Sequence, residues 1–347
     1  MSEKNSMKKF FFFFLKILLA AAVLYILFKR SSDEITDCFR NFDPVYLVPA
    51  VFVSFLQYIF SSWRWKVLAG VAGVELSFFE AFSLTMQGNF FSLVIPGGAI
   101  GGDVVKMGVL SGSRSAGSRF EGVFSILADR IVGMLSLFSL TLLLLVPAIP
   151  MLLKIRFSTF PPEKSVNIVF IAGIALICLL GTAAGVGIFF HRILQKIPGV
   201  RFLMDKAEYF SGGMVSRMTA AADCYAGAWK YLLLLTLLTT FMVHLMAVVP
   251  YCLILIGLGV EFSIFHVIVA AVIGNIAGLI PFFPGGIGIR DLVAITILAA
   301  GGMAAGDAKT AQLISTALML VCNLTGGIFF ISGTGRECIG EGGNNER

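Results

Sequence analysis

Charge is the scarcest property of this chain. Of its 347 residues only 13% are Asp, Glu, Lys or Arg, 58% are hydrophobic, and the mean hydropathy is +0.92. A soluble globular domain carries about 25% charged residues, so this balance excludes one and indicates an integral membrane protein. Polar sequence is equally scarce. The longest stretch without a spanning-length apolar run, about residues 191 to 230, is too short and too amphipathic to fold as a separate enzyme domain. The six cysteines (Cys38, Cys178, Cys224, Cys252, Cys322, Cys338) show no CxxC or other regular spacing, which indicates neither a disulfide framework nor a zinc site. There are three histidines. His244 and His266 lie in different apolar segments without a carboxylate at ligand spacing, so no metal is expected, while a proton relay stays open. The chain has no GxSxG elbow, Walker A loop, HExxH or DxD motif. That absence argues against an enzyme, and no cofactor is expected.

What the chain does have is apolar length. A hydrocarbon core about 30 Å thick needs roughly 20 apolar residues in a helix. Runs at about 10 to 28, 45 to 62, 121 to 146, 166 to 190, 231 to 258 and 310 to 332 meet that need. The first follows Lys8 and Lys9 and contains Ala20 to Ala22, as a cleaved signal peptide would. It continues through Val23, Leu24, Tyr25 and Ile26, so an uncleaved first span is expected. Two further apolar segments, about 76 to 95 and 263 to 280, run into Gly/Pro-rich turns followed by short stretches at 104 to 112 and 292 to 302. Those short stretches cannot cross a bilayer, so each pair predicts a re-entrant hairpin. The expected fold is all-α and polytopic: six full transmembrane helices plus two re-entrant hairpins, or eight spans on a naive count.

The net charge of +6 reports orientation here, and nucleic acid is discounted as a partner. Lys4, Lys8, Lys9, Arg64, Lys66, Arg114, Arg119 and a cluster from Arg192 to Lys230 fall on one face, predicted to be cytoplasmic with both termini. The stretch from Arg192 to Lys230 mixes these bases with Phe202, Tyr209, Met214 and Trp229, which suits a helix lying in the interface, or a plain connector. The charge bias does not by itself separate hairpins from full spans.

An internal repeat helps. Gly88-Asn89 leads to Pro96-Gly97-Gly98 and Gly101-Gly102-Asp103; Gly274-Asn275 leads to Pro281, Pro284-Gly285-Gly286, Gly288 and Arg290-Asp291. The order span, span, hairpin, span occurs twice, over about 10 to 146 and 166 to 332, within one domain of residues 1 to 332 and ahead of a short tail, 333 to 347. Three full spans reverse the second copy, which predicts an inverted repeat with a binding site near the midplane.

The candidate site follows from that placement. Asp103, Lys106, Arg290 and Asp291 are ionisable groups inside hairpins, where charge is costly unless paired, hydrated or facing a cavity. Gly97, Gly98, Gly101, Gly102, Gly285, Gly286 and Gly288 suit backbone N–H contact with an anion, or sharp turning alone. Asp129 and Arg130 open an apolar span and are expected to pair with the hairpins or a lipid phosphate rather than to snorkel. Arg64, between Trp63 and Trp65, reads as an interfacial anchor or a head-group contact. Asn89 and Asn275 are expected to brace the broken helices, with substrate contact as the alternative.

Four stretches, WRW at 63 to 65, GNFFSLVIPGGAIGGD at 88 to 103, ADR at 128 to 130 and FFPGGIGIRD at 282 to 291, carry a family resemblance. The chain resembles the flippase-like transmembrane region of the lysylphosphatidylglycerol synthase family, which includes membrane proteins of the YbhN type, over roughly residues 10 to 332. The resemblance implies movement of a lipid between leaflets: aminoacylated phosphatidylglycerol in the founding members, and other phospholipids, hopanoids or polyprenyl-linked lipids elsewhere. It does not extend to the cytoplasmic synthase domain, since about fifteen residues follow the last span, and aminoacyl transfer is not carried over. Asp291 stands where the family pattern has Glu after the Arg, which keeps the charge.

The expected function is therefore a flippase-like lipid transporter in the cell (inner or plasma) membrane, with a phospholipid or polyprenyl lipid as its partner. Arg130, Arg290, Lys106 and the glycine turns would hold an anionic head group, balanced by Asp103, Asp129 and Asp291. Two other classes stand beside it: an intramembrane enzyme using Asp103 or Asp129 as base, and an accessory subunit of a cell-envelope biosynthesis enzyme. Homo-oligomerisation is the remaining protein–protein expectation.

Overall fold

A segment in hydrocarbon can satisfy its backbone N–H and C=O groups only internally, so each long apolar run must form a helix. The computed structural model describes residues 42–95, 99–112, 119–155, 164–196, 198–211, 214–280 and 286–332, and among these it is all helical. Among the described residues five stretches are long and apolar enough to cross a membrane: Pro44–Val71, Phe120–Leu152, Ser165–Phe189, Trp229–Gly257 and Ala305–Ile331. The protein is a multi-pass membrane protein. The expected span at 10 to 28 lies outside the described residues.

The first described span is a 3-10 turn, Pro44–Tyr46, running into α1 (Leu47–Val71). α1 continues well past the expected end at 62 because the sequence between holds no helix breaker before Gly70, and the charge of Arg64 is paired inside the fold. It turns Val48, Phe52 and Ile59 outward, and Ser54, Gln57, Tyr58 and Ser61 onto an internal cleft. Such inside-out patterning is what lipid as solvent selects. Next come α2 (Phe78–Val94) and α3 (Ala99–Gly112). A reciprocal cap starts α2: the Glu80 N–H donates to Ser77 Oγ at 3.1 Å, and the Ser77 N–H donates to the Glu80 carboxylate at 2.7 Å.

α4 (Arg119–Leu152) is the central helix, packing on α1, on α3 and on α5 (Lys164–Phe189). It runs beyond the expected end at 146 through Pro147 and Pro150, which a membrane helix tolerates when neighbours re-satisfy the freed carbonyls. α5 exposes Val169, Leu176, Leu179 and Leu180, a lipid-facing surface. The basic connector holds a single turn, His191–Leu194, then α6 (Pro198–Ser211) and α7 (Met214–Ala226). α7 is anchored through Ala221, Ala222 and Tyr225, whose hydroxyl donates to the Leu68 carbonyl at 2.9 Å. α6 leaves Arg201, Phe202, Lys206 and Tyr209 exposed.

The fourth described span is composite: α8 (Trp229–Thr239), a π-helical turn (Thr240–Leu245) and α9 (Val248–Gly257). Then follow α10 (Ile264–Gly278), α11 (Ile289–Ala300), α12 (Ala305–Leu324) and α13 (Gly326–Ile331). Both α8 and α10 pack against α4.

α2 with α3, and α10 with α11, are the two pairs expected to be hairpins. The helices have 17 and 14 residues in the first pair and 15 and 12 in the second. At 1.5 Å per residue even the longest reaches only about 25 Å, short of a 30 Å core. Within each pair the backbones touch. A Cβ on Gly102 would lie 2.1 Å from the Gly88 carbonyl oxygen, so only glycine permits this crossing.

Candidate functional site

A polar side chain within an apolar helix must be paired or wetted, so polar faces turn toward one another. The stripe Ser54, Gln57, Tyr58 and Ser61 on α1 meets Gln312, Ser315 and Asn323 on α12 around a cleft also walled by α2, α4, α10 and the π turn. It has two adjoining chambers of about 250 and 440 Å³, which share Gln57, Tyr58, Asn89 and His244 among their lining residues.

The smaller chamber is ionic. From α1, Arg64 Nε and Nη2 donate to the two carboxylate oxygens of Asp129 on α4, at 2.7 and 3.0 Å, and Nη1 donates to Thr239 Oγ1 at 3.2 Å. From α4, Arg130 Nε and Nη2 donate to both oxygens of Asp103 on α3, at 2.6 and 2.9 Å. Each is a fork-on-fork pair, the strongest geometry available to these groups. Lys106, one turn beyond Asp103, is buried and makes no ion pair among the described residues. Its Nζ sits 5.0 Å from the centroid of the Trp65 ring, and Trp65 Nε1 is fixed by Ser125 Oγ at 3.2 Å. Three cations (Arg64, Lys106, Arg130) thus face two carboxylates (Asp103, Asp129), leaving one positive charge in excess. The Thr85 hydroxyl, buried in the same wall, has no partner among the described residues.

The larger chamber is neutral. Asp291 is 1% exposed and saturated with donors: Arg290 Nη2 at 2.9 Å, Gln312 Nε2 at 2.8 Å, Thr316 Oγ1 at 3.0 Å and the Gly288 N–H at 2.9 Å. Gly288 stands at φ +94°, a conformation only glycine holds without strain, and this aims its N–H at the carboxylate. Arg290 also donates to Thr316 Oγ1 at 2.9 Å. The Tyr251 hydroxyl is buried here without a partner among the described residues.

The sequence candidates therefore converge. Arg64, Asn89, Lys106, Asp129 and Arg130 line the smaller chamber, and Asn275 and Arg290 the larger, with Asp103 and Asp291 bonded to the chamber arginines. Arg64 is 6% exposed, so it is a core ion-pair member and not an interfacial anchor. Asn89 and Asn275, expected to brace the broken helices, make no side-chain hydrogen bond among the described residues, and both face the cleft. Gly101 packs on Ile95, Gly102 on Gly88, and Gly286, at φ +73°, on Gly278, so these serve close approach. Gly97, Gly98 and Gly285 lie outside the described residues.

Sequence reasoning passed over Gln57, Tyr58, Tyr251, Gln312, Thr316 and Asn323. The signal was present as polar residues at i, i+3, i+4 and i+7 in α1 and at i, i+4 and i+11 in α12. His244, on the π turn, contacts Ser136 Oγ at 2.9 Å and the Gly133 carbonyl at 3.2 Å, at the junction of the chambers.

The chain matches the profile of the lysylphosphatidylglycerol synthase TM region over residues 13–327. It belongs to that family. Among its relatives is a UPF0104 membrane protein of Methanothermobacter thermautotrophicus, 23% identical over 290 residues that cover 81% of this chain and 83% of the relative. No solved structure matches the chain. The matched region of this family member takes in both helix pairs and every charged residue of the cleft.

Proposed function

We propose that the protein moves a lipid between the leaflets by passing an anionic head group through the cleft while the acyl chains stay in the surrounding bilayer. One observation carries this reading: the excess positive charge of Lys106 beside the two Arg–Asp pairs, in a cavity open enough for a ligand. A buried ammonium without a counter-ion is costly, and an anionic head group offsets that cost. A repeated carboxylate position supports the internal symmetry: Asp103 follows Pro96, and Asp291 follows Pro284, by the same seven residues, and each lies in the first turns of the second helix of its pair.

In this reading α2 with α3 and α10 with α11 are re-entrant hairpins of an inverted repeat spanning about residues 10 to 146 and 166 to 332. Both termini are cytoplasmic, and movement of one repeat against the other alternates access. With no ATP-binding motif in the chain, transport is passive or ion-coupled, and the aspartates are the candidates for carrying a coupling proton or cation.

The test is transport in proteoliposomes with labelled phosphatidylglycerol, its lysyl ester, phosphatidylinositol and an undecaprenyl-phosphate lipid, comparing wild type with Asp103→Asn and Arg290→Ala. Transport of one lipid that both substitutions abolish, at unchanged abundance and monodispersity, is the expected result. No movement of any of the four by well-folded protein overturns the reading.

A further inference from the structure

The two chambers leave different kinds of hydrogen-bonding capacity open. Around Lys106 the open capacity is charged, because both carboxylates there are already held bidentately by arginine and the ammonium is left over. Around Arg290 no charge is left over. Asp291 is fully occupied, and Arg290 directs its remaining Nη1 at the Met319 sulfur, at 2.8 Å. What stays open there is uncharged: the amides of Gln57, Asn89 and Asn275 and the hydroxyls of Ser315 and Tyr251, none with a side-chain partner among the described residues. Each amide both donates and accepts, as does each hydroxyl, and so does the hydroxyl of a polyol. A chamber of about 440 Å³ is in the size range of small-molecule sites.

Resting on the transport reading, we infer that the head group accepted here is an anion joined to an uncharged polyol, a phosphodiester-linked sugar or cyclitol, and that an amine-bearing head group is rejected. The phosphodiester meets Lys106 and the polyol meets the open amides and hydroxyls. An added ammonium would meet no net negative charge, because Asp103, Asp129 and Asp291 are each already neutralised by an arginine and the net charge of the cleft is positive. A head group that ends at the phosphate leaves the polar wall unmatched, and a site built to bond a hydroxyl discriminates strongly against an analogue lacking it.

The test uses the purified full chain with phosphatidylinositol, phosphatidic acid and lysylphosphatidylglycerol of matched acyl chains. Retention of each lipid is measured by competition in native mass spectrometry, and transport of each in proteoliposomes. Phosphatidylinositol should be retained about tenfold or more over either competitor. The double variant Tyr251→Phe/Asn275→Leu, which removes polar groups at near-constant shape, should bring it down to the level of phosphatidic acid. Lysylphosphatidylglycerol retained as well as phosphatidylinositol, or a double variant with wild-type selectivity, overturns the inference. Selective retention without transport of any lipid upholds the head-group inference and overturns the transporter reading. Transport of all three lipids alike does the reverse, and neither retention nor transport overturns both.

Discussion

The Arg64–Asp129 pair joins α1 to α4 across 65 positions of sequence, with side chains 8% and 13% exposed and two parallel hydrogen bonds of 2.7 and 3.0 Å. Removing one partner strands the other as an unpaired buried charge. Arg64→Leu leaves the Asp129 carboxylate without an ion-pair partner among the described residues, and Asp129→Leu leaves the guanidinium with Thr239 as its hydrogen-bond acceptor. Breaking a buried pair in this way costs about 3 kcal/mol at the low end of the measured range. At roughly 2 °C per kcal/mol for a chain of this size, each single variant should melt about 6 °C below wild type. The double variant replaces the pair with apolar side chains and should cost no more than either single, a coupling of about 3 kcal/mol. The assay is thermal unfolding of detergent-solubilised protein followed by loss of the monodisperse peak. Singles that melt within 2 °C of wild type, or a double variant that sums the two, would show that the pair is hydrated and contributes little, and would refute the reasoning.

Other expectations follow from particular contacts. Gly102→Val should abolish recovery of folded protein, because its Cβ would fall 2.1 Å from a backbone oxygen that cannot yield, while Gly108→Ala, with nothing within 4 Å, should raise stability by about 0.5 to 1 kcal/mol through helix propensity; detergent melting curves distinguish them. Tyr58→Phe removes the hydroxyl that donates to Asn323 Oδ1 at 2.6 Å between α1 and α12, and should cost about 1 kcal/mol in the same melts. In the connector, Arg192 donates to Asp223 at 2.6 Å and holds that carboxyl below its ordinary 3.8. Since the folded value is the depressed one, the contact is at full strength above about pH 5 and is lost as pH falls through the folded value. Amide exchange in His191–Leu194 and α7, corrected for intrinsic rate, should therefore be faster at pH 2.5 than at pH 6, and Asp223→Asn should remove the difference.

Much of the fold was legible because membrane insertion is a local count. A run such as 166 to 190 needs only length and apolarity to become a helix, and α5 occupies nearly those residues. The short pairs were legible for the same reason: each copy has a Gly/Pro-rich stretch, and the helix ahead of it stops early, at Val94 in α2 and at Gly278 in α10. Boundaries were less so. α1 ran past Arg64 because Asp129, on another helix, pairs its charge, and α4 ran on through Pro147 and Pro150. The site was legible by kind of residue and not by pairing. Charges in apolar surroundings pointed to Asp103, Lys106, Asp129, Arg130, Arg290 and Asp291. The neutral polar faces of α1 and α12 were overlooked because a serine or glutamine is not costly enough in a span to draw notice singly.

The sequence by itself determined that this is a multi-pass helical membrane protein with two glycine-rich interruptions carrying charge, since hydrophobic length and backbone permissiveness belong to each segment alone. Only the tertiary structure decided which charges neutralise one another: Arg64 takes Asp129, Arg130 takes Asp103, Arg290 takes its own neighbour, and Lys106 is left over. Ion pairing depends on distances of a few ångströms between helices remote in the chain, and no property of a single segment encodes them.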